Sequence, residues 1–223
     1  MFKKFPILLI ALLLNGCSEL KAQQRLTSEV SAANIHALAE QGDAQAQFAL
    51  GNMYEHGRGV PQSFAEALKW YQASADQGFA TAQSTLGYLY QYGGIVKQDL
   101  QAAFMWNFKA AEQGDAYGQH NLGVMYDEGT GVPESDEEAV KWYKKAAAQG
   151  YDQAGFNLGI CYWKGEGVVQ DYVEAYRLLN HVRVATQDQT IRWQARGILD
   201  ELKKVMREEE IKAAGGKPGS RFY

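Results

Sequence analysis

The stretch LGNMYEHGRGVPQS, Leu50 to Ser63, decides what kind of protein this is. Its Gly57-Arg58-Gly59 segment is either a phosphate cradle or the turn between two packed helices. A phosphate loop follows a strand, turns successive backbone N–H groups inward and ends in a Lys-Ser/Thr pair. Here the segment follows a helical pattern, and the lysine–hydroxyl pair is missing. The stretch also returns three more times at a fixed interval, as a structural turn does. We read it as an inter-helix turn and set nucleotide binding aside.

That interval is 36 residues, and the match is ungapped through units starting near Ala39, Ala75, Ala111 and Ala147. A Leu-Gly pair recurs at Leu50-Gly51, Leu86-Gly87, Leu122-Gly123 and Leu158-Gly159, with Tyr54, Tyr90, Tyr126 and Tyr162 three residues on. Trp70, Trp106 and Trp142 align with Leu178 of the fourth unit. Within each unit the apolar spacing predicts two helices. Helix A covers about Ala44 to His56, with Ala46, Leu50 and Tyr54 on one face; helix B covers about Phe64 to Gln77. Ser63, Asp99, Ser135 and Asp171 stand where helix B is capped. Three of them have a glutamate three residues on (Glu66, Glu138, Glu174), which predicts reciprocal capping boxes. Each helix B ends at a Gln-Gly step, where glycine closes a helix in the left-handed region. The glycine inside helix A costs about 1 kcal/mol against alanine, so its fourfold recurrence predicts a close approach by an aromatic ring of helix B.

These motifs resemble the Sel1-like repeats, relatives of the tetratricopeptide repeats with a longer A–B loop containing a G-x-G-V segment. The resemblance covers Ala39 to about Val182. It departs from the pattern at Gly93-Gly94-Ile95 and Lys97 in the second loop and at Val169 in the fourth, which leaves local loop shape open. It implies an all-α fold, a right-handed α-solenoid of helix-turn-helix repeats with capping helices at both ends. The expected boundaries are 27–41 for the N-terminal capping helix and 42–182 for four repeats. A C-terminal capping helix at 183–212, its apolar side running from Ile191 to Met206, and a mobile tail at 213–223 complete the chain.

Before the repeats, Lys3 and Lys4 precede an apolar run, Phe5 to Leu14, too short for a stable membrane span; this is the layout of a secretory signal. The run ends in Leu14-Asn15-Gly16-Cys17, which resembles the lipobox of bacterial lipoproteins. By that resemblance residues 1–16 are removed, Cys17 carries palmitate-type lipid, and 17–26 forms the lipidated cysteine and tether. Ser18 stands where an aspartate would retain the protein at the inner membrane, so the expected location is the outer membrane of a bacterial envelope, facing the periplasm. Removal of residues 1–16 leaves 20 basic against 26 acidic residues. That balance, with no basic stripe, excludes a nucleic-acid partner. Cys161 would then be the single free thiol, at a position held elsewhere by Met53, Leu89 and Met125, and is read as a small core residue.

No catalytic constellation, cofactor site or metal site is visible. The four histidines lack the i, i+4 spacing that places two ligands on one helix face. Ser18-Glu19-Leu20-Lys21 matches a Ser-x-x-Lys tetrad, but without the partner motifs of penicillin-recognising enzymes. A periplasmic enzyme on β-lactam or peptidoglycan substrates is therefore the alternative reading, and a non-enzymatic binding protein the first.

Positions that differ between repeats are where binding specificity can reside. On helix A one such stripe comprises Gln45, Phe48, Asn52 and Glu55; Thr81, Ser84, Tyr88 and Gln91; Tyr117, His120, Val124 and Asp127; and Gln153, Phe156, Ile160 and Trp163. Spacings of three, four and three put each set on one face. In tetratricopeptide superhelices helix A lines the concave groove, so by resemblance these residues would bind a protein or peptide partner, Val124 and Ile160 being the weakest candidates. Packing between neighbouring A helices is the competing account.

Overall fold

The structure, a computed structural model, describes residues 32–215. The signal, Cys17 and its tether, the start of the N-terminal capping helix and the tail from 216 onward lie outside the described residues. Every regular element among the described residues is α-helical. Residues 32–40 form α1, followed by α2 (Ala44–His56), α3 (Phe64–Asp76), α4 (Ala80–Tyr92), α5 (Leu100–Glu112), α6 (Ala116–Glu128), α7 (Asp136–Ala148), α8 (Asp152–Lys164), α9 (Tyr172–Ala185), α10 (Gln189–Val205) and α11 (Glu208–Ala214). The fold is an all-α solenoid of helical hairpins, in which even-numbered helices α2 to α8 are the A helices and odd-numbered α3 to α9 the B helices. The chain divides into two units, one ending at Gln77 and one beginning at Gly78.

In the first unit α2 and α3 form a hairpin against α1. Asp43 caps α2 by accepting from the Ala46 N–H at 2.7 Å. Ala39, Ala46 and Leu50 are buried together, with Ile35, Met53, Tyr54 and Trp70 packed around them. The helix-A glycine explains itself here. A Cβ on Gly51 would lie 2.6 Å from Cδ1 of Tyr71, so the tyrosine ring occupies the space a side chain would need. The hairpin is tied at its other end by glutamine. Gln77 Nε2 donates to Gln47 Oε1 at 2.7 Å, and Gln47 Nε2 donates to the Ala39 carbonyl at 3.1 Å.

The second unit stacks three such hairpins and closes with α10 and α11. Each hairpin packs its B helix on the next A helix, α5 on α6, α7 on α8, and α9 on α10. The fixtures recur. Gly123 lies under Tyr143 as Gly51 lies under Tyr71, with the missing Cβ 2.6 Å from Cε1 of the ring. Gln113 and Gln149 donate to Gln83 and Gln119 at 2.7 and 2.8 Å. The second and fourth repeats fill the glycine's space differently, with Asn107 over Gly87 and Leu179 over Gly159. Close approach at these glycines is as expected, but tyrosine or a smaller B-helix residue fills the gap, never the recurring tryptophan.

The inter-helix turns are structural. Each is closed by a backbone bond from the helix-B cap to the recurring tyrosine carbonyl: Ser63 to Tyr54, Asp99 to Tyr90, Ser135 to Tyr126 and Asp171 to Tyr162, at 2.9–3.0 Å. In the second unit the turn also seats on the preceding repeat. Gly131, at φ +76°, sits so close to the Leu100 carbonyl that a Cβ would lie 2.5 Å from it, and Gly167 meets the Asp136 carbonyl in the same way. The divergent second turn does change shape. Gly93 has φ 76° and ψ −149°, whereas Gly57, Gly129 and Gly165 are left-handed helical.

Two sequence expectations are corrected. The capping boxes are only half formed: Ser63 and Ser135 accept from the Glu66 and Glu138 N–H groups at 3.3 Å, but their own N–H groups are already given to Tyr54 and Tyr126. The glutamates turn outward and pair with Lys69, Lys141 and, in the fourth repeat, Arg177. The C-terminal cap is also two helices, not one. Met206 and Arg207 are extended, and the Arg207 N–H is satisfied by the Glu210 carboxylate at 2.8 Å. The break lets Met206, Ile211 and Ala214 join one cluster with Tyr176 and Leu202, while Val205, expected on the apolar side, is left exposed.

The glycine geometry sets a paired test. Gly123→Ala should destabilise by about 1–3 kcal/mol through overpacking against Tyr143, although alanine is the better helix former. Gly197→Ala in α10, where no atom lies within 4 Å of the missing Cβ, should stabilise by about 0.5–1 kcal/mol. Urea midpoints of opposite shift confirm the account; shifts of one sign refute it.

Candidate partner-binding face

Of the helix-A stripe in the first unit, Gln45 is exposed and Phe48, Asn52 and Glu55 are half-buried. Phe48 packs on the Tyr71 ring at 5.5 Å. Glu55 accepts from the Tyr71 hydroxyl at 2.5 Å, and burial, then that carboxylate, push the Tyr71 phenol far above its ordinary pKa. The ring that sits over Gly51 thus also holds a stripe residue in place.

In the second unit the stripe divides. Ser84 is 0% exposed, its hydroxyl donating to the Thr81 carbonyl, and Gln91 is buried too; neither offers surface to a partner, and both are removed from the candidate set. A short polar residue facing inward is indistinguishable in sequence from one facing out. Thr81, Asp127 and Gln153 are exposed. Asp127 accepts from the Tyr143 hydroxyl at 3.1 Å, repeating the Glu55–Tyr71 arrangement, and Gln153 accepts from Tyr151 at 2.6 Å. Phe156, Trp163 and Val124 are half-buried against hydrophobic clusters, with Ile160 beside them in an apolar groove. Cys161 is buried, and desolvation pushes its thiol up to about 12, which keeps it protonated at neutral pH.

The exposed centre of this face is aromatic. Tyr88 is 43% and Tyr92 57% exposed, with ring centroids 4.7 Å apart. Tyr88 is followed by Tyr117 at 6.1 Å, and Tyr117 by Tyr151 at 6.1 Å. The stripe read from sequence missed Tyr92 and Tyr151. Tyr92 could have been found: its column, His56, Tyr92, Glu128 and Lys164, also varies between repeats and lies one turn beyond Tyr88.

Beneath the tyrosines runs a polar chain. Asn121 donates to Asn107 at 3.5 Å, His120 Nδ1 meets Asn121 Oδ1 at 3.3 Å, and His120 Nε2 meets Asn157 Nδ2 at 3.4 Å. The imidazole also lies against Tyr151 and Tyr143, at 5.1 and 6.0 Å. Burial pulls its pKa down to about 4, against the opposing effect of Asn121. His120 is therefore a neutral, doubly engaged floor residue. Among the described residues no three His, Cys, Asp or Glu side chains are grouped to hold a metal, and no helix is long and apolar enough to cross a membrane.

The Sel1 repeat model matches residues 44–79, 80–115, 116–151 and 153–180. The chain belongs to the Sel1 repeat family. It is similar to a Sel1 repeat protein from Oxalobacter formigenes, at 30% identity and a TM-score of 0.71 over 86% of this chain and 78% of that one. It is also similar to c5321, a protective antigen present in uropathogenic Escherichia coli strains and displaying an SLR fold. That match has 28% identity and a TM-score of 0.52, over 82% of this chain and 46% of that one. No curated protein matches. Sel1 repeat solenoids are in general scaffolds that bind protein partners.

The state of His120 fixes a pH dependence. Its folded pKa of about 4 lies below the ordinary 6.5, so the unfolded chain takes up a proton first as pH falls. Stability is complete above pH 6.5 and declines toward pH 4, by about 3 kcal/mol at most from this group. His120→Gln should flatten that part of the profile in denaturant midpoints measured from pH 7 to 4; an unchanged slope would refute it.

Proposed function

We propose that this chain is an adaptor of the bacterial envelope, anchored through lipid on Cys17 and binding a protein or peptide partner through the helix-A face of its repeats. The observation that carries the binding reading is the exposed Tyr88–Tyr92 pair continuing into Tyr117 and Tyr151. Tyrosine offers a large rigid apolar body with a hydroxyl at its rim, which is why it is enriched at binding hot spots. Thr81, Asp127 and Gln153 supply polar groups on the same helices. The Leu14-Asn15-Gly16-Cys17 motif supports the anchor, and Ser18 supports an outer-membrane, periplasm-facing placement.

Tyr88→Ala combined with Tyr92→Ala removes two rings that are about half exposed and belong to no buried cluster, so the chain should remain folded with at most a modest drop in melting temperature. Crosslinked complexes recovered from membranes should be lost in that variant, and recovery at the parent level would refute the assignment. Cys17→Ala should abolish palmitate labelling and move the chain from the membrane to the soluble fraction; a labelled, membrane-bound variant would rule the anchor out.

A further inference from the structure

Helices α9 and α10 of the second unit enclose a polar cavity of about 330 Å³ between them. Tyr176, Asn180 and Arg183 line it from α9, and Arg196, Asp200 and Lys203 from α10. The α9 wall departs from the pattern of its own repeat. Arg183 stands where the first three repeats have Ala75, Ala111 and Ala147, all of them buried. Tyr176 stands where they have Leu68, Phe104 and Val140. Packing α9 on a further helix asks for neither change, since small and apolar side chains serve that purpose in the other hairpins.

These polar groups do not satisfy one another. Arg183 Nη2 donates to Asn180 Oδ1 at 2.8 Å, which orients the guanidinium but leaves its charge without a carboxylate. Arg196, exposed at the rim, makes no hydrogen bond or ion pair among the described residues. Tyr176 is only 8% exposed, yet its hydroxyl has no hydrogen-bond partner among the described residues. Lys203 and Asp200 pair with each other at 2.9 Å. Arg183, Arg196 and Lys203 against Asp200 therefore leave the cavity with a charge of +2, in a chain whose formal net charge is −4.

We propose that this cavity binds a phosphate group. A phosphomonoester carries about −1.5 to −2 at neutral pH, which neutralises the two guanidiniums with the Lys203–Asp200 pair left intact. The planar fork of an arginine meets two phosphate oxygens at once, and the Tyr176 hydroxyl and Asn180 amide donate to those that remain. A carboxylate, with one charge and two oxygens, would leave one guanidinium uncompensated. The site lies between α9 and α10, apart from the tyrosine row, and does not depend on a protein partner there.

Calorimetric titration of the full chain with inorganic phosphate at pH 7 should show saturable binding at one site. Arg196→Met removes an exposed, unpaired charge and keeps the fold, and the affinity should fall at least about tenfold. Tyr176→Phe retains the ring and should weaken binding as well. Lys204→Met removes a neighbouring charge that pairs with Glu201 outside the cavity, and should leave binding unchanged. Failure to bind phosphate, equal affinity for acetate, or an equal loss in Lys204→Met would each overturn the proposal. Phosphatidylcholine vesicles with and without phosphatidic acid then distinguish the source. Co-sedimentation that needs phosphatidic acid and is lost in Arg196→Met supports a lipid headgroup as the phosphate; binding of inorganic phosphate without vesicle binding supports a soluble ester.

Discussion

Two helices can approach no closer than the side chains between them permit, and in this chain the hairpin spacing is set by a side chain that is absent. Gly51 and Gly123 give their space to the rings of Tyr71 and Tyr143. Those rings are among the largest fully buried side chains among the described residues. Burying a tyrosine ring returns more free energy than the roughly 1 kcal/mol lost to a helical glycine, which is why the position tolerates a poor helix former. Because the B helix comes in so close, the glutamines at the far end of the hairpin are brought within hydrogen-bond distance of each other, and the intervening turn lies flat enough to be closed by one backbone bond.

The same constraint shapes the candidate face. A tyrosine seated over a glycine has its hydroxyl at the surface of helix A, where it meets Glu55 in the first repeat and Asp127 in the third. In the second repeat the ring is replaced by Asn107, and the hydrogen-bonding need passes along Asn121 and His120 to Asn157. The floor under the exposed tyrosines is therefore built by whatever fills the space over each glycine. Variation in the core and variation on the face are coupled through the B helix.

The fold was legible because a 36-residue period is a global signal, insensitive to the placement of any one side chain. The corrections fall where a local pattern has a competitor that sequence does not display. A capping box over Ser63 and Glu66 reads well until the Tyr54 carbonyl, brought back by the turn, takes the Ser63 N–H. The amphipathic pattern continues across Met206, so the break there, set by the chance to bury Met206 and Ala214 together, leaves no mark in the periodicity. The face was read in part. Helical spacing groups Ser84 and Gln91 with Tyr88, but spacing alone cannot tell which edge of that stripe the neighbouring elements bury. Tyr92 was missed because the set stopped one turn short, although its column varies as much as the others.

The fourth hairpin has given up the glutamine tie: Gly155 and Ala185 stand where the earlier repeats have Gln119 and Gln149, and Val182 fills the gap. In the interior of the second unit, every fixture links residues of one hairpin or of adjacent hairpins. Duplication of an interior 36-residue block would therefore carry a complete set of joints with it. A block appended after α9 would bring its own glutamine pair but would find a surface already fitted to α10. Array length in this chain is thus written into its last hairpin, and lengthening by gene duplication has an open route through the middle and a closed one at the end.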